Sequence, residues 1–350
     1  MAGRRPASPV RPVAGSGTGA AGEGSASQQG EVLGHRAAVV GHPVSHSLSP
    51  VLHRAAYAQL GLGTWHYTRI DLPVTRLPGL VSQLAAPVSD GWAWSGLSVT
   101  MPHKQALVPM LDVVDPLAQA VGSVNTVVAQ RSGTGPALLA GFNTDVTGIV
   151  EAVRETAAAW SAQALPALPT CAPGRADGWG VSGATAVVLG SGATACSALA
   201  ALTELGATRI VVAARRHAGP GRALSAAHRM GLEVEALTWT PGEVRSDSAV
   251  AEVLAQADLA VSTLPAGGAD TLAEALPGVL GQGRLTAGAV LLDVVYAPWP
   301  TPLASAWERG GGAVAPGWLM LLHQAVPQVR LMTGRGPDVA PMRDALLRAL

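Results

Sequence analysis

Lys104 and Asp145 are the two residues of this sequence whose types and surroundings most directly indicate chemistry. Each lies in a stretch of mostly apolar or small residues, Gly96–Lys104 and Gly141–Asp145. A lysine can exchange a proton with a reacting oxygen, and a nearby carboxylate can orient the ammonium and balance its charge. The pair is therefore a candidate proton-transfer device. Taken singly, Lys104 also fits a surface helix residue, and Asp145 fits the N-cap of the helix after it.

A glycine-rich turn further along the chain indicates a nucleotide site. Its pattern is G-x-G-x-x-A, formed by Gly190, Ser191, Gly192, Ala193, Thr194 and Ala195. The first glycine permits the tight turn, the second lets backbone amides approach a pyrophosphate, and the small last residue lets the helix pack closely on the strand. A glycine turn without a ligand is the alternative. A proton relay beside a dinucleotide site would oxidise an alcohol or reduce a ketone.

The end of the second strand in such a unit selects the cofactor. A carboxylate there binds the ribose hydroxyls of NAD, but this chain has Arg215 and Arg216 after Ala214. Guanidinium groups suit a 2′-phosphate and stack on adenine, so the sequence favours NADP over NAD. Two solvated surface arginines are the alternative.

Apolar runs and helix signals alternate along the chain, which predicts an α/β protein. The first half fits a layered α/β domain, and the second fits a Rossmann-like, doubly wound parallel sheet with helices on both faces. Ser49 fits the N-cap of a helix that starts with Pro50. Strands are predicted over 37–41, 65–70, 96–100, 123–128, 138–141, 186–189, 209–214, 259–263 and 290–294, and helices over 50–60, 74–86, 104–111, 146–159, 194–205, 249–256 and 302–309.

Composition restricts the function classes. A length of 350 residues allows two domains, and a formal net charge of +0 gives no support to nucleic-acid or membrane attraction. Without an apolar run of about 18 residues, no transmembrane helix is expected. The only cysteines, Cys171 and Cys196, cannot form a disulfide framework, so a reducing cytoplasm is expected. Cys196 fits a small packing residue of the helix after the glycine turn.

Two segments do not fit a folded domain. Residues 1–34 are rich in Gly, Ser, Ala and Pro and predict a disordered tail, because they could not bury enough surface to offset their ordering entropy. Residues 160–183 have no clear period and predict a mobile insertion between the domains.

With these motifs in order, the sequence resembles the shikimate dehydrogenase family over roughly residues 35–345. Each motif alone is modest evidence, but their succession is specific. The segments that carry the resemblance are Gly41–His53, Ser98–Lys104, Gly122–Thr126, Gly141–Asp145, the glycine turn, Asp293–Pro298 and Gly317–Gln324.

The resemblance implies NADPH-dependent reduction of 3-dehydroshikimate to shikimate, a late step towards chorismate and the aromatic amino acids. It implies that Lys104 and Asp145 are the catalytic pair, and that Val294 and Gly317 lie near the nicotinamide. Ser47 and Ser49 would hold the substrate carboxylate, although helix capping is their alternative role. The residues that would hold or flank the ring hydroxyls are Thr100, Asn125, Tyr296 and Gln324.

The resemblance also implies two domains with the site in a cleft between them. Residues 35–145 and 320–350 would form the substrate domain, and residues 146–319 would form the dinucleotide domain. No metal is expected, because His42, His46 and His53 lack the spacing of a ligand set and the family needs none. A monomer or a homodimer is expected.

Departures from the family pattern leave alternatives open. Ser98 replaces the usual Asn, and Ala214-Arg215-Arg216 replaces the usual Asn-Arg-Thr. A close rival is a quinate dehydrogenase, or a dual quinate/shikimate enzyme, using NAD. The rival of another class is a non-catalytic family member that only binds ligands.

Overall fold

The computed structural model describes residues 33–164, 183–281 and 283–350. Two six-stranded sheets organise these residues. The first sheet has the order β2-β1-β3-β5-β6-β4 and mixes parallel and antiparallel pairs. Its strands are β1 (Gly34–Gly41), β2 (Trp65–Asp71), β3 (Trp92–Val99), β4 (Val113–Val114), β5 (Thr126–Arg131) and β6 (Ala137–Phe142).

The second sheet has the order β12-β11-β10-β7-β8-β9, and every pair in it is parallel. Read from β9, this is the 3-2-1-4-5-6 order of a dinucleotide-binding sheet, with its switch point between β7 and β10. Its strands are β7 (Ala184–Leu189), β8 (Ala207–Ala214), β9 (Glu235–Thr238), β10 (Leu259–Ser262), β11 (Val290–Asp293) and β12 (Ala313–Pro316).

Helices cover both sheets. The described helices are α1 (Ser49–Gln59), α2 (Leu77–Ala85), α3 (His103–Ala106), α4 (Pro116–Val121), α5 (Asp145–Ala164), α6 (Ala193–Glu204), α7 (Ala223–Met230), α8 (Val244–Ala255), α9 (Asp270–Leu280), α10 (Pro302–Arg309), α11 (Gly317–Thr333) and α12 (Val339–Leu347). Short 3₁₀ turns precede α2 and follow α3. None of the described helices is long and apolar enough to cross a membrane.

The second sheet has an apolar core on each of its two faces. Val187 and Leu189 of β7 pack into a core on one face, whereas Ala186 and Val188 pack into the core on the other. This alternation is expected of strands that are buried on both faces. The second of these cores also contains Val39 of β1 and residues of α5 and α11. A continuous apolar core therefore joins the two sheets.

The structure confirms the α/β class, and most predicted elements lie within a few residues of their predicted limits. The helix predicted over 104–111 is wrong in length, because α3 ends at Ala106 and a 3₁₀ turn follows. Pro109 explains this, since proline lacks the N–H that a continuing helix needs. The strand predicted over 123–128 begins only at Thr126.

The capping role predicted for Ser49 is also wrong. Ser49 is the first residue of α1, Leu48 precedes it, and no side chain caps this helix. The Ser49 N–H instead donates to Ser47 Oγ at 3.3 Å. This local turn takes the place of a side-chain cap.

Two predicted segments fall largely outside the described residues. The predicted tail over 1–34 is outside except for its last two residues, and Gly34 already belongs to β1. The first residues of the predicted insertion over 160–183 belong to α5, which ends at Ala164. Residues 165–182, which include Cys171, are outside the described residues. The elements that were not predicted from the sequence include β4, α4, α7, β9, α9 and β12.

Candidate active site

The ends of strands at one edge of the first sheet supply the candidate catalytic residues. Strands β1, β3 and β6 end at this edge, and β5, which runs the opposite way, begins there at Thr126. Lys104 follows β3, and Asp145 follows β6. Asn125 immediately precedes β5. The topology therefore brings together side chains that lie far apart in the sequence.

Lys104 and Asp145 form an ion pair, with 2.5 Å between Lys104 Nζ and Asp145 Oδ2. Their side chains are 13% and 4% exposed. Asp145 begins α5, where the helix dipole favours a carboxylate. Its Oδ1 accepts a hydrogen bond from Asn125 Nδ2 at 2.8 Å, and its own N–H donates to Asn143 Oδ1 at 3.0 Å. The carboxylate is thus fixed, and the ammonium is held against it.

Asn125 connects the ion pair to α11. Its amide nitrogen donates to Asp145, to Thr144 Oγ1 at 2.9 Å and to Gln324 Oε1 at 3.3 Å. Its Oδ1 accepts from the Thr144 N–H at 2.8 Å. Thr144 Oγ1 in turn donates to the Gln324 carbonyl at 2.9 Å. The predicted residues Lys104, Asp145, Asn125 and Gln324 therefore form one connected group.

Ser47 and Ser49 form a second polar group, with 3.2 Å between their hydroxyl oxygens. Both residues are buried. The Arg69 guanidinium donates twice to the Ser47 carbonyl, at 2.9 and 2.7 Å. The two hydroxyls, with this arginine beside them, suit the carboxylate of a small acid.

Ser98, where the family has Asn, is held in a buried network. Its hydroxyl accepts from the Tyr67 hydroxyl at 2.6 Å and donates to Gln328 Oε1 at 2.7 Å. Gln328 Nε2 then donates to the Asn125 carbonyl at 3.1 Å. Burial lowers the pKa of the adjacent His53 to about 4, so this imidazole is neutral. The shorter serine therefore still connects the substrate side of β3 to Asn125.

Thr100 lies at the end of β3, between this strand and Lys104, and Tyr296 lies beyond the end of β11. Thr100 follows β3, and its N–H donates to the Val40 carbonyl at 2.9 Å. Tyr296 follows β11 and is half-buried, which raises the pKa of its phenol, whereas the charge of Arg69 acts in the opposite direction.

Asp293 positions the loop that carries Tyr296. The carboxylate accepts from Thr301 Oγ1 at 2.7 Å and from the Val295 N–H at 3.2 Å. Burial raises the pKa of Asp293, and these donors counteract the shift.

The glycine turn has the geometry that a pyrophosphate needs. Gly190 has φ +107°, which strongly favours glycine, and a Cβ there would lie 2.4 Å from Thr263 Oγ1. A Cβ at Gly192 would meet no atom within 4 Å, so the space over the turn is open. No side chain caps α6, which leaves the first N–H groups of a twelve-residue helix available to an anion. These residues fit a dinucleotide cofactor.

The other predicted cofactor residues lie around this turn. Ala193 and Thr194 open α6 and are half-buried. The Ser191 hydroxyl accepts from the Ala223 N–H at 3.0 Å, so this side chain is engaged with α7. Arg215 and Arg216 are exposed after β8.

Val294 and Gly317 lie in contact at the ends of β11 and β12. A Cβ at Gly317 would be 2.3 Å from the Val294 carbonyl oxygen, so only glycine allows this approach.

Cys196 is a buried residue of α6, as the sequence predicts. Burial raises the pKa of its thiol to about 11. Among the described residues, no three His, Cys, Asp or Glu side chains come together as a metal-binding group would.

Several residues that build this site were not predicted from the sequence. Asn143 lies within the motif Gly141–Asp145, and its amide donates to Ser123 Oγ and to Ser197 Oγ of α6, each at 3.0 Å. Its position in the motif was the available signal. Arg69 and Gln328 had no such signal, because their roles depend on contacts with distant elements.

A parallel dinucleotide-binding sheet, joined to a second α/β sheet whose edge presents a lysine–aspartate pair, defines a two-domain dehydrogenase. Comparisons with known proteins agree. Residues 39–127 match the model of the shikimate dehydrogenase substrate binding domain, and residues 317–347 match that of the shikimate 5'-dehydrogenase C-terminal domain.

A curated relative, the shikimate dehydrogenase (NADP(+)) of Rubrobacter xylanophilus, is 35% identical over 314 residues, which cover 88% of this chain and 94% of that protein. The crystal structure of Mycobacterium tuberculosis shikimate dehydrogenase has a TM-score of 0.67 and 36% identity, covering 90% of this chain and 100% of the other. The structure of shikimate 5-dehydrogenase from Thermus thermophilus, in complex with NADP(H) and shikimate, has a TM-score of 0.63 and 32% identity, covering 90% and 99%. The chain belongs to the shikimate dehydrogenase family.

Proposed function

We propose that this protein is an NADP-dependent shikimate dehydrogenase that interconverts 3-dehydroshikimate and shikimate. The observation that carries the proposal is the buried Lys104–Asp145 pair, held by Asn125, in a chain whose relatives are shikimate dehydrogenases. When bound, NADPH supplies the hydride.

Lys104 is the proton donor for the ketone oxygen as that oxygen becomes a hydroxyl, and it takes the proton back in the reverse direction. Asp145 orients the ammonium and balances its charge. Asn125 donates to the Asp145 carboxylate, and the Asn143 side-chain oxygen accepts from the Asp145 backbone N–H. Because both contacts hold Asp145 in place, little rearrangement is needed when the proton moves.

Substrate recognition requires short polar groups on both sides of a small polyhydroxy acid. Ser47 and Ser49 are proposed to hold its carboxylate, and Tyr296 is proposed to hold or flank its ring hydroxyls. Thr100, Asn125 and Gln324 are proposed to hold or flank its ring hydroxyls. Buried polar groups discriminate strongly, because an analogue lacking a partner leaves them unpaired.

The cofactor is proposed to lie over the glycine turn. Gly190, Ser191, Gly192, Ala193 and Thr194 would approach its pyrophosphate, and Val294 and Gly317 would flank its nicotinamide. Arg215 and Arg216 are proposed to contact the 2′-phosphate; both are exposed, and neither belongs to a salt bridge among the described residues.

The domain limits are part of the proposal. Residues 35–145 with 320–350 would form the substrate domain, and residues 146–319 would form the dinucleotide domain. The return of α11 and α12 to the first sheet supports this, since His53 of α1 contacts Gln328 and Gln59 contacts Asp338. We expect a cytoplasmic monomer or homodimer that acts on a small molecule, without a nucleic-acid or membrane partner.

The test is the absorbance of reduced nicotinamide, followed with purified protein in four reactions: shikimate or quinate, each with NADP or NAD. The proposal expects the highest kcat/KM for shikimate with NADP. A higher kcat/KM for quinate, or with NAD, would contradict it and favour the quinate dehydrogenase reading. Tight NADPH binding without turnover in any reaction would indicate a non-catalytic family member.

A further inference from the structure

The residue next to Lys104 makes a hydrogen bond from the first α/β sheet's side of the molecule to a loop of the second sheet. Gln105, the half-buried neighbour of Lys104 in α3, donates through Nε2 to the carbonyl of Gly221 at 2.5 Å. Gly221 has φ +70°, and a Cβ there would lie 2.3 Å from Gln105 Oε1. The positive φ favours glycine at position 221, and the amide of Gln105 occupies the space beside this backbone that a side chain would otherwise fill.

Gly221 belongs to the loop that joins β8 to α7, residues 215–222. The loop starts with Arg215 and Arg216, and just after its end the Ala223 N–H donates to Ser191 of the glycine turn at 3.0 Å. The same carbonyl of Gly221 lies 3.7 Å from Cys196 Sγ of α6. The 215–222 loop is thus connected to the glycine turn at one end and to the catalytic helix α3 through Gln105.

We infer that the Gln105–Gly221 hydrogen bond couples occupation of the 2′-phosphate subsite to the position of Lys104, so that NADPH tightens shikimate binding through Gln105. The inference rests on the proposed function, which places the 2′-phosphate at Arg215 and Arg216. Contacts that fix the 215–222 loop also fix the Gly221 carbonyl, to which Gln105 donates. Because Lys104 is the neighbour of Gln105 in α3, fixing Gln105 also restricts Lys104. Gln105 is a positioning residue in this scheme. NADH has no 2′-phosphate, so its binding does not fix the 215–222 loop and does not act through the Gln105–Gly221 hydrogen bond.

The experiment is calorimetric titration of shikimate into free protein, protein with NADPH and protein with NADH. Shikimate and NADPH are both the reduced partners of the proposed reaction, so no hydride transfer takes place during the titration. In the wild type, the factor by which NADPH tightens shikimate binding should exceed the factor for NADH. Gln105→Met keeps the length of the side chain but removes the donor. It should lower the NADPH factor about two- to tenfold, the worth of one hydrogen bond, and leave the NADH factor unchanged.

Gln83→Ala is the matched control, because Gln83 is an exposed glutamine of α2. It should leave both factors at the wild-type values. An unchanged NADPH factor in Gln105→Met, or an equal loss with NADPH and NADH, would overturn the inference. A merely structural role would weaken shikimate binding in all three titrations alike. Wild-type protein that binds neither shikimate nor NADPH would contradict the proposed function instead.

Discussion

At the scale of single residues, the Lys104 ammonium and the Asp145 carboxylate lie 2.5 Å apart and largely out of water, so the proposed catalytic pair is also expected to contribute to stability. Removing one partner leaves the other charge uncompensated, which typically costs about 3–5 kcal/mol when the pair is buried. Loss of activity in a single variant therefore has two explanations. The catalytic role proposed for Lys104 has to be separated from its role as a counter-ion.

Lys104→Met is expected to lower kcat by roughly 10²–10⁴, with a smaller change in the shikimate KM, because the proton donor is lost. Steady-state kinetics with shikimate and NADP measures both constants. Near-normal turnover would show that another group moves the proton.

The double variant Lys104→Met with Asp145→Asn is the control for stability. It removes the unpaired charge, so its Tm should exceed that of Lys104→Met, whereas its kcat should stay low. Recovery of kcat together with Tm would mean that Lys104 acts only as a counter-ion.

Arg215→Ala combined with Arg216→Ala is expected to raise the KM for NADP by roughly 10–100-fold, because charge-assisted hydrogen bonds to the 2′-phosphate are lost. The KM for NAD should change little. Arg245→Ala, at an exposed arginine of α8, is the matched control. Equal changes for NADP and NAD would place the 2′-phosphate elsewhere.

At the scale of elements, close packing of α5 against α11 places Gln324 beside Asp145. Gly148 of α5 permits this approach, since a Cβ there would lie 2.8 Å from both the Gln324 Cβ and the Met320 carbonyl oxygen. The position of Gln324, which is proposed to bind substrate, thus depends on the absence of a side chain at Gly148 of the neighbouring helix.

Gly148→Ala is expected to push α11 away and to raise the shikimate KM about tenfold, the effect of losing roughly one good hydrogen bond. Initial rates at varied shikimate measure this. Gly79→Ala in α2 is the control, because a Cβ there would meet no atom within 4 Å. It should raise Tm slightly through helix propensity and leave KM unchanged. A Gly148→Ala variant with normal KM would refute the packing argument.

At the scale of the whole molecule, Glu155 joins three helices. From α5 it contacts His323 of α11 at 2.9 Å and Arg343 of α12 at 2.7 Å. The hydrogen bonds from Arg343, followed by that from His323, hold the pKa of Glu155 below its ordinary value. A carboxyl with a lowered pKa stabilises the fold above its unfolded pKa, and this stabilisation is lost as the pH falls through its folded pKa.

Glu155→Gln is therefore expected to lower Tm at neutral pH, and the difference from the wild type should shrink as the pH falls below about 4.5. Thermal unfolding at pH 7 and at acidic pH measures it. Glu274→Gln, at an exposed glutamate of α9, should match the wild type at both pH values. A Glu155→Gln deficit that persists unchanged in acid would exclude the ion-pair explanation.

The sequence by itself determined the local chemistry and the order of the elements. Lys104, Asp145 and the glycine turn each follow an apolar strand. Each of these residues or motifs lies within a few residues of the strand that precedes it, so the signal is local. The alternation of strands and helices similarly depends on short-range patterns of apolar residues, turn residues and caps. These features need no knowledge of which distant segments meet.

Only the tertiary structure decided which side chains complete the site. Asn125 meets Gln324 across 199 positions of sequence, Ser98 meets Gln328, and Gln105 meets Gly221. The failed capping prediction for Ser49 has a local origin instead, because its N–H and its hydroxyl both pair with the Ser47 hydroxyl two residues earlier. The physical reason is that the long-range contacts depend on how helices and sheets pack, and packing is fixed by the shapes of many residues that are remote in sequence.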